Sequence, residues 1–308
     1  MASVRFFFRT GTNDSTGSFG LQSQILVFGG DGDAFVFDGS DFDDDGPIGN
    51  RSGIDVEGSP FDDIIDGTIG PDILDGNGGD DLIRGGVGRD LIDGDSGRDD
   101  LFGGPDNDLI IGSTGSDFLF GGGGNDTLFG NGQADRLDGG GGDDRIAGGE
   151  GADRAFGAGG NDVIIGGTGG DTLFGEGGND RVFGGDKGDF ITGGAGRDLL
   201  DGGSGQDRLE GAAGNDILRG GAGGDFLFGG TGRDRFQFDG TAGEDRVRDF
   251  LNGTDFIDFT RVAALNGEDD IAVTQVGANT FISAPGVSGR LVLVGVDADL
   301  LDAGDFIF

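Results

Sequence analysis

The chain has no Cys, His, Trp or Tyr, a single Met and only five Pro among 308 residues. Without Cys there are no disulfides and no thiol chemistry. Without His, a Ser-His-Asp triad and an H-E-x-x-H zinc site are both impossible. With neither residue present, zinc loses its usual ligands. The scarcity of Pro excludes a collagen-like helix. Long apolar runs are also missing, and no stretch approaches the roughly 20 residues needed to span a bilayer as a helix. The N-terminal run Phe6-Phe7-Phe8 is shorter than the roughly 7–15 residues of a signal-peptide core, so export by that route is not expected. Bases are few: 20 against 58 acids, for a formal charge of -38, and Lys187 is the only lysine. Such a chain is repelled by nucleic acid and by anionic membrane surfaces, and it attracts small cations.

What is present is glycine. The 75 Gly are about three times the usual share. Disorder would account for an acidic, Gly-rich chain, but 27 Phe and many Ile, Leu and Val recur at regular intervals. From Gly58 onward the chain repeats every nine residues without a slip, as in Gly121-Gly-Gly-Gly-Asn-Asp-Thr-Leu-Phe129 and Gly166-Gly-Thr-Gly-Gly-Asp-Thr-Leu-Phe174. Taking the first Gly as position 1, that position is Gly in all twenty units. Position 6 is Asp in all twenty: Asp63, Asp72, Asp81, Asp90, Asp99, Asp108, Asp117, Asp126, Asp135, Asp144, Asp153, Asp162, Asp171, Asp180, Asp189, Asp198, Asp207, Asp216, Asp225 and Asp234. Position 8 is always apolar. Position 4 is Gly in sixteen units, the exceptions being Phe61, Asp106, Gln133 and Lys187. The pattern G-G-x-G-x-D-x-U-x, with U apolar, resembles the RTX (repeats-in-toxin) calcium-binding family over residues 58–237.

Nine residues divide into two tasks. Positions 7–9 read as a short strand whose alternation sends position 8 to the core. Positions 1–6 read as a tight loop whose glycines supply positive φ. Two nonapeptides then make one turn of a flattened coil, so residues 18 apart lie above one another. The expected fold is all-β, and the resemblance implies a right-handed parallel β-roll (a β-solenoid). Asp63, Asp81 and Asp99 fall on one edge, and Asp72, Asp90 and Asp108 on the other. Carboxylates at a spacing of about 4.8 Å repel by roughly 3–4 kcal/mol per pair at an effective dielectric of about 20. A turn that merely favours polar residues would mix Asp with Asn and Ser; twenty Asp in twenty points to metal ligation.

Ca²⁺ takes six to eight oxygens, backbone carbonyls included, whereas Mg²⁺ demands stricter geometry and keeps its water. The family resemblance implies a cation between successive loops, held by the Asp side chains and by backbone carbonyls such as those of Gly103, Gly121, Gly139, Gly157, Gly166, Gly175, Gly193, Gly202 and Gly220. Twenty loops leave about eighteen gaps, and about eighteen divalent ions nearly cancel the net charge. Position 5, often Asn or Asp, reads chiefly as turn chemistry. Because the core offers one apolar residue per nine, burial alone does not balance the entropy of ordering so much Gly. The chain is therefore expected to fold only in millimolar calcium, outside the cell.

Three segments follow: 1–57, irregular; 58–237, the repeats; and 238–308, a C-terminal β cap with short strands at Ile271–Val276, Thr280–Ala284 and Arg290–Val294. Residues 238–308 also resemble the C-terminal region of RTX proteins exported by type I secretion, down to the final Asp305-Phe306-Ile307-Phe308. The secretion apparatus is thus an expected partner, and the location extracellular or at the cell surface. In the first segment, Gly29–Asp33 with Phe35–Phe37 look like a decayed repeat. Asp41–Ser52 matches half of an EF-hand loop but lacks the final Glu. No catalytic constellation emerges, so an enzyme is not expected. The alternative function is a calcium-dependent structural or adhesive surface protein. Position 9 places Phe102, Phe120, Phe156 and Phe174 on one face, where they would support self-association or partner binding. An ice-binding surface would need a regular Thr or Asn column, and position 3 carries Thr only at Thr114, Thr168 and Thr231.

Overall fold

The computed structural model describes residues 53–239, 243–262, 265, 267, 270–284 and 289–308, with the backbone of two short strands, Gln24–Leu26 and Val36–Phe37. The EF-hand-like segment 41–52 lies outside the described residues. The chain separates into two compact units, Met1–Gly148 and Gly149–Phe308. Each is a parallel β-solenoid in which strands alternate between two sheets.

In the first unit one sheet runs Asp55–Glu57, Ile73–Asp75, Leu91–Asp93, Leu109–Thr114, Thr127–Gly132, and the other Ile64–Asp66, Leu82–Arg84, Asp100–Pro105, Phe118–Gly123, Arg136–Gly141. Partners are 18 residues apart, as Phe118↔Arg136 and Leu119↔Leu137. The backbone of Val36 and Phe37 joins this stack, pairing with Ile64 and Ile65, and the rest of the decayed repeat lies outside the described residues. In the second unit the same register holds, as Arg181↔Leu199 and Val182↔Leu200.

Position 8 forms the core. Ile83, Ile92, Leu101, Leu119 and Leu128 in the first unit, and Leu173, Ile191, Leu200 and Leu218 in the second, are completely buried. Their neighbours at positions 7 and 9 face outward, giving alternation along each strand.

Two sequence expectations need correction. From Asp100 onward the strands extend beyond positions 7–9 into the first positions of the next repeat, reaching six or seven residues. The loop is correspondingly shorter than six residues. The glycines also do different jobs. Positive φ is needed at positions 2 and 4, where Gly122 has φ +110° and Gly124 φ +123°. Asn131, Ser113 and Glu176 tolerate position 2, and Asp106, Gln133 and Lys187 occupy position 4, all at positive φ. The invariant Gly at position 1 is a matter of space instead: a Cβ on Gly121 would lie 2.4 Å from the Asp126 carboxylate and 2.6 Å from the Gly139 carbonyl.

Adjacent glycines in one loop should therefore respond oppositely to substitution. A Cβ on Gly124 would sit 2.2 Å from the Asp106 carbonyl, whereas one on Gly123 meets nothing within 4 Å. Gly124→Ala is expected to cost at least about 2 kcal/mol through strain and overlap. Gly123→Ala is expected to stay within about 0.5 kcal/mol. Denaturant unfolding of both variants in saturating calcium measures the contrast.

The nine-residue spacing stops at Gln237, but the parallel stacking does not. Glu244–Val247 adds to Phe226–Gly232, and Phe256–Asp258 adds to Arg235–Gln237. The hairpin Ala272–Val276 with Asn279–Ser283 continues antiparallel into Arg290–Leu293, which pairs with Glu244–Val247. These three strands fall within a residue or two of the sequence expectation. Phe306–Ile307 closes the other sheet against Phe256–Asp258, and Phe306 and Phe308 stack on Phe259 at 6.4 and 5.8 Å.

Candidate metal centre

The position-6 carboxylates are 0–4% exposed, as buried as the apolar core. Isolated ions of this kind are costly unless paired, so each oxygen needs a partner. One oxygen has it. Within each unit, Oδ1 of the next Asp in a column accepts the backbone N–H of the Asp one turn earlier. In the first unit Asp63, Asp81 and Asp99 donate to Asp81, Asp99 and Asp117 at 2.7–2.9 Å. Asp72, Asp90 and Asp108 donate to Asp90, Asp108 and Asp126 at 2.8 Å. The second unit repeats this through Asp171, Asp189, Asp207 and Asp225, and through Asp198, Asp216 and Asp234.

The other oxygen has none. The Oδ2 atoms of Asp81, Asp90, Asp99, Asp108, Asp117 and Asp126, and of Asp171, Asp189, Asp198, Asp207, Asp216, Asp225 and Asp234, are buried without a hydrogen-bond partner. Each lies beside the position-1 Gly of its own repeat, in a space that a Cβ would fill. At Gly103 the Asp108 Oδ2 and the Gly121 carbonyl stand 2.4 and 2.8 Å from that point. At Gly184 the Asp189 Oδ2 and the Gly202 carbonyl stand at 2.2 and 2.5 Å. The carbonyls of Gly103, Gly139, Gly175, Gly193 and Gly220 take the same place against their neighbours, and Gly157 and Gly166 sit against the Oδ2 of Asp162 and Asp171.

An orphaned carboxylate oxygen and a backbone carbonyl thus converge wherever the invariant Gly leaves room. All the donors are oxygens, which suits a hard cation such as Ca²⁺ and not a thiolate- or imidazole-seeking metal. Among the described residues no three acidic side chains converge. Such a cation would therefore be completed by backbone oxygens.

The ends of the columns differ. Asp72 is fully occupied by the protein: its Oδ1 accepts from Ile54 N–H, and its Oδ2 from Thr68 N–H at 2.6 Å and from the Thr68 hydroxyl. Asp63 Oδ2 accepts from Ser59 N–H. At the far end, Asp245 and Asp255 continue the columns, accepting from Asp225 and Asp234 N–H at 3.2 and 3.0 Å. Sequence reading missed both because the spacing grows from 18 to 20 and 21 residues. The signal was present: Gly240-Thr-Ala-Gly-Glu-Asp245-Arg-Val247-Arg keeps positions 1, 4, 6 and 8 after a two-residue insertion. Position 5 links successive coils: Asn107, Asn125, Asn161 and Asn179 accept the N–H of position 5 one coil later, at 2.9 Å, instead of closing their own turn.

Burial is the main force on these carboxyls. It pushes Asp81, Asp99 and Asp108 up to about 7, against the bond from the preceding turn and with help from neighbouring carboxylates. Asp189, Asp207 and Asp216 are likewise raised to about 7. Asp245, buried and beside Asp225, is raised to about 8.

The outward Phe side chains pair within each unit. Phe102 and Phe120 meet edge to face at 6.4 Å in the first, and Phe156 and Phe174 stack at 5.1 Å in the second. All four are half-buried.

Fold and site together define a calcium-binding parallel β-roll. The profile of the RTX calcium-binding nonapeptide repeat (4 copies) matches residues 57–236, more than half of the chain. The chain belongs to this family, whose repeats bind Ca²⁺. Among solved structures, the AlgE6R3 subunit of the Azotobacter vinelandii mannuronan C5-epimerase is 34% identical, over 41% of this chain and 80% of that one, with a TM-score of 0.35. The AlgE6R2 subunit of that enzyme is 24% identical over 45% and 88%, at 0.31. The extracellular lipase LipA from Serratia marcescens is 19% identical over 69% and 40%, at 0.21. No curated protein matches the chain. Among the described residues no helix is long and apolar enough to cross a membrane.

Proposed function

We propose that this chain is a secreted calcium-binding protein without catalytic activity of its own, exported by type I secretion through residues 238–308, and that it folds outside the cell as Ca²⁺ enters between successive turns. Its segments are an irregular part at 1–57, the nonapeptide roll at 58–237 and the cap at 238–308. The observation that carries the reading is the pair of buried Asp columns in which carboxylates such as Asp117 and Asp216 have a backbone donor on one oxygen and none on the other. A cation supplies what the second oxygen lacks, and about eighteen gaps between loops can each take one. The absence of His and Cys and the commitment of the patterned carboxylates to these columns leave no patterned group for acid–base work. The oxygen-only donor set favours calcium at the millimolar levels of extracellular medium over the submicromolar levels inside a cell.

Asp198→Asn tests the role of the orphaned oxygen. Asn keeps the carbonyl that accepts Asp180 N–H but puts an NH₂ where Oδ2 stands. The variant is expected to bind one or two fewer calcium ions by equilibrium dialysis. It is expected to lose roughly 1–3 kcal/mol of stability in millimolar calcium. An unchanged ion count and unchanged stability would remove Asp198 from the metal site.

A further inference from the structure

We propose that one sheet face of the second unit is a binding surface for an extended acidic polysaccharide. The face is the outward side of the strands Arg154–Gly159, Thr172–Gly177, Phe190–Gly196, Arg208–Gly214, Phe226–Gly232 and Glu244–Val247. Strand register places Arg154, Thr172, Phe190, Arg208, Phe226 and Arg246 in one column at position 7. Beside it, position 9 carries Phe156, Phe174, Thr192, Glu210 and Phe228.

The arginines lie over the rings. Arg154 covers Phe156 and Phe174 at 5.0 and 5.6 Å, and Arg208 covers Phe228 and Phe190 at 4.2 and 5.9 Å. Arg246 and Arg248 both approach Phe226, at 5.8 and 5.4 Å. Stacking of this kind holds each guanidinium flat with its N–H edges toward planar acceptors: Arg208 and Arg246 already meet Glu210 and Glu244 in this way, and Arg154 and Arg248 carry the remaining edges. Four guanidiniums against the carboxylates of Glu176, Glu210 and Glu244 leave this face a small net positive charge on a chain whose formal charge is -38. That contrast is the charge complement of a polyanion.

The shape of the surface narrows the ligand. Rungs repeat at about 4.8 Å over six strands, so an extended polymer with recurring charge matches it better than a compact molecule. The strands from Thr172–Gly177 to Glu244–Val247 are paired on both sides, so their backbone donors are not free to add a peptide strand. Recognition falls to side chains: guanidinium forks for carboxylates, and the half-buried surface that the Arg–Phe stacks leave for the apolar C–H faces of sugar rings. A uronic-acid polymer offers both at every repeat.

The surface is independent of the Asp columns and goes beyond the proposed function; it relies on calcium only to keep the roll folded. The test uses the full chain in saturating calcium, with β-content verified by circular dichroism, so that a failure to fold is seen separately. Hyaluronan oligosaccharides are the probe, poly-glutamate is the peptide polyanion and dextran is the neutral control. Hyaluronan is expected to bind, more weakly as salt rises. Arg154→Gln with Arg208→Gln is expected to weaken binding at least tenfold, and Arg208→Gln alone about threefold. Phe174→Ser should weaken hyaluronan several-fold and leave poly-glutamate unchanged. Arg181→Gln, on the other sheet, should have no effect. Equal affinity for poly-glutamate with no Phe174 effect would overturn the proposal, as would absence of hyaluronan binding. Hyaluronan binding indifferent to the arginine changes would also overturn it, because it would place the polymer on calcium at the loops.

Discussion

Stripping calcium from the folded chain at neutral pH is expected to abolish its β-structure altogether. Each nonapeptide buries one apolar side chain at position 8, and the other fully buried side chain is an Asp. Glycine fills the remaining inward positions and is the costliest residue to order. With a site affinity near 10⁻⁴ M, millimolar calcium adds roughly 1–3 kcal/mol per site, and submicromolar calcium adds almost nothing. Summed over about eighteen sites, that difference exceeds the whole stability of an ordinary domain. Circular dichroism during a calcium titration, with excess chelator as the second arm, reads the outcome. The β-signal should rise cooperatively with calcium and vanish in chelator. Equal signal in both arms would show that the Asp columns serve some end other than metal binding.

Acidifying the metal-free chain is expected to restore part of that β-structure. The ordinary carboxyl value is 3.8, whereas burial raises Asp81, Asp99, Asp108, Asp189, Asp207 and Asp216 to about 7 in the roll. Groups raised in the folded state bind more protons there than in the unfolded chain. Their contribution to stability is therefore fully present below about 3.8 and is lost as pH climbs toward 7. A proton on the orphaned oxygen removes its charge, and with it the repulsion along the column. In chelator, β-content should be higher at pH 5 than at pH 8. In calcium the order reverses, because ligation needs the deprotonated carboxylate and protons compete with the metal. A chelated chain equally unstructured at both pH values would mean that repulsion between carboxylates is not what keeps the roll open.

Much of this was legible in the residues, because the nonapeptide is its own structural unit. Strict recurrence places Leu119 over Leu137 and Asp99 beneath Asp117, and a parallel stack of two-repeat turns is what a nine-residue period with one apolar and one acidic column produces. The extension of the roll through Asp245 and Asp255 was less legible. Insertions break a fixed period, whereas backbone pairing accommodates them in the loops. The occupation of Asp72 by Thr68 depends on position 2, which the repeat leaves variable. Arg154 lying over Phe156 on its own strand and Phe174 on the next joins side chains that could have turned elsewhere.

The sequence by itself determined the period, the two sheets, the buried apolar column and the demand for a hard cation, since these follow from residue type repeated at fixed spacing. Only the tertiary structure decided which oxygen of each Asp is spent on the backbone and which is left over. It also decided that Gly at position 1 is required by space and not by φ, and where the guanidiniums rest. Those depend on how close one turn lies to the next, a distance set by hydrogen bonding between strands and not by the order of residues along either one.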